Sequence, residues 1–161
     1  MFSLIITIVS IALVVALVAA TMYNGGDTLT SGRTSADAAA FVTGAQQVAG
    51  AQVMHLSLNS VAATTVSGGA AGTDLVADKF LASAPVVKGG TWALDTVNKL
   101  VTNTVASAAV CNQINKSAGL TAAKTADATD TDDAMVVVAA DFANLPYGCV
   151  TGATPTFQFK Y

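Results

Sequence analysis

The sequence predicts an α+β fold: one long N-terminal helix, half of it wholly apolar and half amphipathic, packed on an antiparallel sheet. Three observations predict it. The stretch "MFSLIITIVSIALVVALVAATMYNGG" has no charged side chain; the first charge is Asp27. Apolar residues then recur at three- and four-residue steps over 34–58. Beyond that, short β-prone runs alternate with glycine, proline and asparagine.

The opening run comes first. From Phe2 to Tyr23 there are about 22 residues without a charge, roughly 33 Å as a helix, which matches the hydrocarbon thickness of a bilayer. A cleaved secretory signal would need a positive n-region; "VAA" at 18–20 offers a small-residue cleavage site, but "MFS" carries no Lys or Arg. An ordinary single-span anchor would show a Lys/Arg flank on its cytoplasmic side. An apolar run that starts at residue one, with nothing basic before it, reads instead as the product of cleavage just ahead of the apolar stretch. Its β-branched residues are interspersed with Ser3, Thr7, Ser10 and Ala12, Ala16, Ala19 and Ala20. Small residues of this kind let identical helices approach closely.

Asn24, Gly25 and Gly26 are the expected joint, because asparagine and glycine adopt the conformations that end a helix. A second helix is then expected over 34–58, opened by Thr34 with Asp37 three residues on, a capping-box-like pair. Ala38, Phe41, Val42, Ala45, Val48, Ala49, Val53 and Leu56 form its apolar stripe, leaving Gln46, Gln47 and Gln52 for solvent or a neighbouring subunit. The chain thus divides into a hydrophobic helix (1–23), a Gly-rich joint (24–33) and a globular head (34–161).

After "SGGAAG" a short helix is expected over 74–82, with Leu75, Val76, Phe80 and Leu81 inward and Pro85 beyond it. "PVV", "TWAL" and "KLVTNTV" are β-prone, with a hairpin turn at 88–90 or at 95–98. In the last run Leu100, Thr102 and Thr104 alternate with Val101, Asn103 and Val105, so one face is more polar. "SAAVCNQINKSAG" reads as a helix closed by Gly119, with Ala108, Cys111, Ile114 and Ala118 on one side. A polar loop, a buried strand "AMVVVAA" and a closing strand "TFQFKY", with Phe157 and Phe159 on one face, complete the chain.

The 161 residues carry seven basic and ten acidic side chains, all ten of them Asp, for a net charge of −3. Arg33, Lys79, Lys88, Lys99, Lys116, Lys124 and Lys160 are scattered singly, which excludes a phosphate-neutralising stripe and hence direct nucleic-acid binding. The same scatter leaves no polybasic membrane patch. His55 is the only histidine, so neither a zinc site nor a Ser/His/Asp triad is supported, and His55 reads as a packed or rim residue. Gly68, Gly69 and Gly72 lack the spacing and the Lys of a phosphate loop. "DATDTDDA" lacks the glycine and distal glutamate of an EF-hand and reads as a solvated loop. Tyr23, Tyr147, Tyr161 and Trp92 are read as core aromatics first. No catalytic residue, cofactor or metal is expected. Cys111 and Cys149, 38 positions apart, are either two unrelated buried thiols or, if the head lies outside the cytosol, a disulfide.

In sum these features resemble the type IV pilins, and within them the type IVb and conjugative-pilus branch. The resemblance rests on "FSLIITIVSIALVVALVAATM" as an extended helix from residue one, on its amphipathic continuation after "TSAD", and on Cys111 in "VCNQIN" with Cys149 in "YGCV". It implies that a prepilin peptidase removes a leader and that the helix waits in the inner membrane. An ATP-driven assembly machine then stacks copies into an extracellular filament on the bacterial surface, serving adhesion, motility or conjugation. Phe2, Leu4, Ile5, Ile8, Ile11, Val15 and Val18 would pack the filament core, and a disulfide-bounded region would lie in the head. Low-copy relatives, minor pilins and secretion pseudopilins, share the architecture, as would a single-pass anchored binding module. Most relatives carry a glutamate at the fifth mature position, where this chain has Ile5, and a proline late in the membrane helix, which is absent here. Subunit register would then need another device.

Overall fold

The computed structural model describes residues 2–119, 145–150 and 154–161, with 2–4 and 23–28 described by their backbone. Its elements are α1 (Phe2–Asn59), β1 (Ala93–Asp95), β2 (Leu100–Thr104), α2 (Ala108–Ser117), β3 (Tyr147–Val150) and β4 (Thr156–Lys160). The four strands form one sheet in the order β1-β2-β4-β3, antiparallel throughout. The α+β class is therefore as expected. Contacts cluster into two compact units, Met1–Thr34 and Ser35–Tyr161.

The main correction concerns the joint. The backbone stays helical through Asn24, Gly25 and Gly26, and α1 runs unbroken for 58 residues. Glycine inside a helix costs only about 1 kcal/mol relative to alanine, whereas ending and renucleating a helix sacrifices several hydrogen bonds. The helix therefore propagates through the two glycines even though the flanking Asn24, Asp27, Thr28, Thr30 and Ser31 are themselves weak helix formers. The expected capping box fails for the same reason: Thr34 lies inside the helix, and its hydroxyl donates back to the Thr30 carbonyl at 2.9 Å.

Within the second unit α1 buries Ala38, Phe41, Ala45, Val48, Ala49 and Ala51 in the core. Gln52 and His55 continue the same seam and are also fully buried, while Val53 and Leu56 are exposed. This reverses the expectation for Gln52, Val53 and Leu56. Positions 38, 41, 45, 48, 52 and 55 keep a constant helical phase, and the seam follows that phase even where the residue is polar.

Phe41, Trp92 and Phe157 meet as a three-ring cluster, with centroids 5.7–6.2 Å apart. Trp92 donates its indole N–H to the Pro85 carbonyl at 2.7 Å and lies over Gly44 of α1, where a Cβ would come within 2.8 Å of the indole ring. Gly44 thus provides the close approach that admits Trp92.

The segment after α1 holds no helix over 74–82, which corrects that expectation. A single turn forms instead. Asp78 N–H bonds Asp74 O, and then Phe80 N–H bonds Leu75 O while Lys79 N–H bonds Val76 O, with Lys79 left-handed at φ 63°. That is a Schellman closure, and it stops the helix one turn after it starts. Leu75 is nevertheless buried, as expected, and Val76, Phe80 and Leu81 are half-buried.

Of the two hairpin turns considered, the one after β1 forms. Asp95 Oδ1 accepts from the Val97 and Asn98 N–H groups at 3.0 and 2.9 Å, and Lys99 takes a left-handed φ of 55° to enter β2. "PVV" joins no strand, and Val86 is almost fully exposed. In β2, Val101, Asn103 and the following Val105 face the core, matching the predicted alternation. Phe157 on β4 is buried, and Phe159 on the same face stacks on Tyr147 at 6.2 Å. Helix α2 buries Val110, Cys111, Ile114 and Asn115, with Ala108 exposed, and is followed by Gly119 at φ 95°. "DATDTDDA" and "AMVVVAA" lie outside the described residues.

Candidate functional site

Residues Ile5–Met22 form a helical segment with mean hydropathy 2.7, none of it buried. Of the residues expected to pack a filament core, Ile5, Ile8, Ile11, Val15 and Val18 are about half exposed or more, from 49% at Val18 to 65% at Ile11. Phe2 and Leu4 are on the helix, and their side chains lie outside the described residues. Five further residues, Ile6, Val9, Leu13, Val14 and Leu17, are equally exposed on the remaining faces. The apolar surface therefore encircles the helix rather than forming one stripe. The absence of any charge over the run is the sequence signal for apolar surface on all faces.

The polar atoms of this segment are turned inward on their own helix. Ser10 donates to the Ile6 carbonyl at 2.7 Å and Thr21 to the Val18 carbonyl at 2.9 Å. Hydroxyls satisfied in this way can enter lipid or a dry helix bundle without an unpaired donor. By length and composition the segment is sufficient to cross a bilayer, about 27 Å at 1.5 Å per residue.

The second unit is held by covalent and polar ties at the ends of its elements. Cys111 on α2 and Cys149 on β3 form a disulfide, with Cα atoms 5.3 Å apart and a sequence separation of 38. The pairing settles the two alternatives open in the sequence. Beside it, Asn115 acts as a substitute strand. Its Nδ2 donates to the Cys149 carbonyl at 3.0 Å, and its Oδ1 accepts from the Cys149 N–H at 2.7 Å. Strand β3 is at the sheet edge, so its outward N–H and C=O would otherwise lack a backbone partner. Nothing in the local sequence marked Asn115, because its role depends on a residue 34 positions away.

Gln52 and His55 anchor the chain that leaves α1. Gln52 Nε2 donates to the Ala63 carbonyl at 3.1 Å and reaches the Tyr161 hydroxyl at 3.4 Å. His55 Nδ1 lies 2.9 Å from the Val61 carbonyl and Nε2 3.0 Å from Asp78 Oδ2. Both of these partners are acceptors, so each ring nitrogen faces an oxygen lone pair. The edge of the ring packs on Phe80 at 5.0 Å. His55 is thus a packed residue, as expected, with a specific electrostatic task.

Two carboxylates organise the 65–79 loop. Asp74 is buried, which pushes its carboxyl pKa up, but hydrogen bonds from Ala77, Gly69, Thr65 and Val76 outweigh burial and leave it below the ordinary value. The Gly72 N–H, with help from His55, holds the Asp78 carboxyl low. Among the described residues no group of three or more His, Cys, Asp or Glu is placed to hold a metal ion.

Comparison with protein-family models, with curated proteins and with solved structures found no match to this chain.

Proposed function

We propose that the chain is the structural subunit of an extracellular, type IV pilus-like filament. In this reading Ile5–Met22 is stored in the inner membrane and afterwards buried among copies of itself. The observation that carries the reading is the encircling apolar surface of that segment, exposed on every face of a helix whose other half is packed into a folded unit. Each aliphatic side chain moved fully out of water contributes about 1.5–3 kcal/mol, so ten such residues favour an apolar surrounding strongly. Lipid supplies that surrounding before assembly and neighbouring helices supply it after. The disulfide-closed α+β unit supports the same reading, since it suits the oxidising exterior that a filament surface meets. A prepilin peptidase and an ATP-driven assembly machine are the partners this function requires. Adhesion, motility or conjugation would be set by the head.

The second reading is a low-copy minor pilin, a secretion pseudopilin or a single-pass anchored binding module, favoured by the sufficiency of Ile5–Met22 as one span. Stoichiometry separates the two. Fibres sheared from cells should consist mainly of this chain if it is the structural subunit. Its recovery at a few copies per fibre, or only as detergent-solubilised monomer, supports the second reading and contradicts the first.

A further inference from the structure

A helix that is apolar on every face can slide against its copies by a turn with little change in contact, so Ile5–Met22 does not by itself set a register. Between Phe2 and Ala36 the chain has only two charged residues, Asp27 and Arg33. Both belong to α1 and to the compact unit Met1–Thr34. Six helical steps set their backbone positions about 9 Å apart along the axis and about 120° apart around it. Arg33 is exposed, and among the described residues no ion pair or hydrogen bond involves its guanidinium. Asp37, one turn further on and the natural intrahelical partner, is held by Lys88 Nζ at 3.1 Å.

We infer that, within the proposed filament on which this inference rests, Arg33 of one copy pairs with Asp27 of a parallel neighbour displaced by about 9 Å along the axis. The occupant of this surface is a second copy of the chain, selected by charge complementarity. An unshifted neighbour would set Asp27 level with Asp27 and Arg33 level with Arg33, opposing like charges. The 120° offset suits a head-to-tail contact, because each copy offers its carboxylate to one neighbour and its guanidinium to another, and such contacts repeat without closing. Asp27 follows the apolar segment by five residues, so packing of that segment draws water away from the pair and strengthens it beyond an ordinary surface bridge.

The test is charge reversal in the full-length chain: Asp27→Arg, Arg33→Asp, and the two together. Fibre yield is read against the amount of subunit in the membrane, and axial spacing from images of native fibres. Each single reversal is expected to lower fibre yield at least tenfold at unchanged subunit level, the double reversal is expected to restore it, and native copies should repeat at about 9 Å. Single variants that assemble like the native chain, or a double variant that fails to recover, overturn this inference and leave the filament reading standing. A native chain that makes no fibres overturns both.

Discussion

The two halves of α1 present the same backbone with opposite surroundings. Between Ile5 and Met22 isoleucine, leucine and valine face outward on all sides, whereas between Ala38 and His55 a single seam is fully covered by the sheet and the loops that follow. The apolar half is uniform around its circumference and makes no commitment to a partner within the chain. The amphipathic half has one apolar seam, and that asymmetry lets it nucleate a unit of its own. Hydrophobicity alone therefore does not decide what is buried inside a fold. What decides is whether the rest of the chain offers a matching surface.

The most damaging way to break the comparison in the head is to remove its central ring. Phe41→Ala should destabilise the Ser35–Tyr161 unit by about 3–5 kcal/mol, because it empties the contact with Trp92 and Phe157. Chemical denaturation followed by Trp92 fluorescence measures it; a loss under about 1 kcal/mol would mean that the cluster relaxes around the cavity or does not exist. A smaller effect is expected at the sheet edge. Asn115→Ala leaves the Cys149 N–H and carbonyl without their side-chain partner and should cost about 1–3 kcal/mol with the disulfide intact, whereas unchanged stability would contradict the substitute-strand role.

The smallest expected effect is on acid sensitivity. Asp74, Asp78 and Asp95 have folded-state carboxyl pKa values below the ordinary 3.8. A depressed carboxyl contributes stability that is complete above its unfolded value and is lost as pH falls through its folded value. The head should therefore keep its thermal midpoint down to about pH 4 and lose stability steadily below that, and Asp74→Asn should flatten the decline. An equally steep decline in the variant would remove Asp74 from the account.

Most of this architecture was legible in the sequence where the signal was local. The apolar run, the alternation in "KLVTNTV", the helix around Cys111 and the closing strand with Phe157 all follow from patterns spanning a few residues. Three misreadings share a physical cause. Gly25 and Gly26 looked like a break because their local preference opposes a helix, but the cooperativity of a 58-residue helix overrides about 1 kcal/mol per residue. The 74–82 segment looked helical by its apolar spacing, and the Asp74 carboxylate does cap its first turn, yet left-handed Lys79 closes it after that one turn. Gln52 looked like surface because hydropathy sees only its polarity, whereas His55 reads as a packed or rim residue. They are buried because Ala63, Val61 and Asp78 arrive with matching groups, contacts that no window of sequence contains.

The contrast between the halves of α1 is tested most directly by placing one charge in the apolar half. Ile8→Asp or Ile11→Asp in the full-length chain puts a carboxylate at a cost of about 2.5–3.5 kcal/mol per copy into an apolar surrounding, repeated in every copy of a filament. The measurement is electron microscopy of material sheared from the cell surface, alongside non-reducing mass analysis of the Cys111–Cys149 bond. The account predicts that fibres disappear while the disulfide-closed head still forms. Normal fibres from either variant would contradict the claim that Ile5–Met22 is the element through which the chain polymerises.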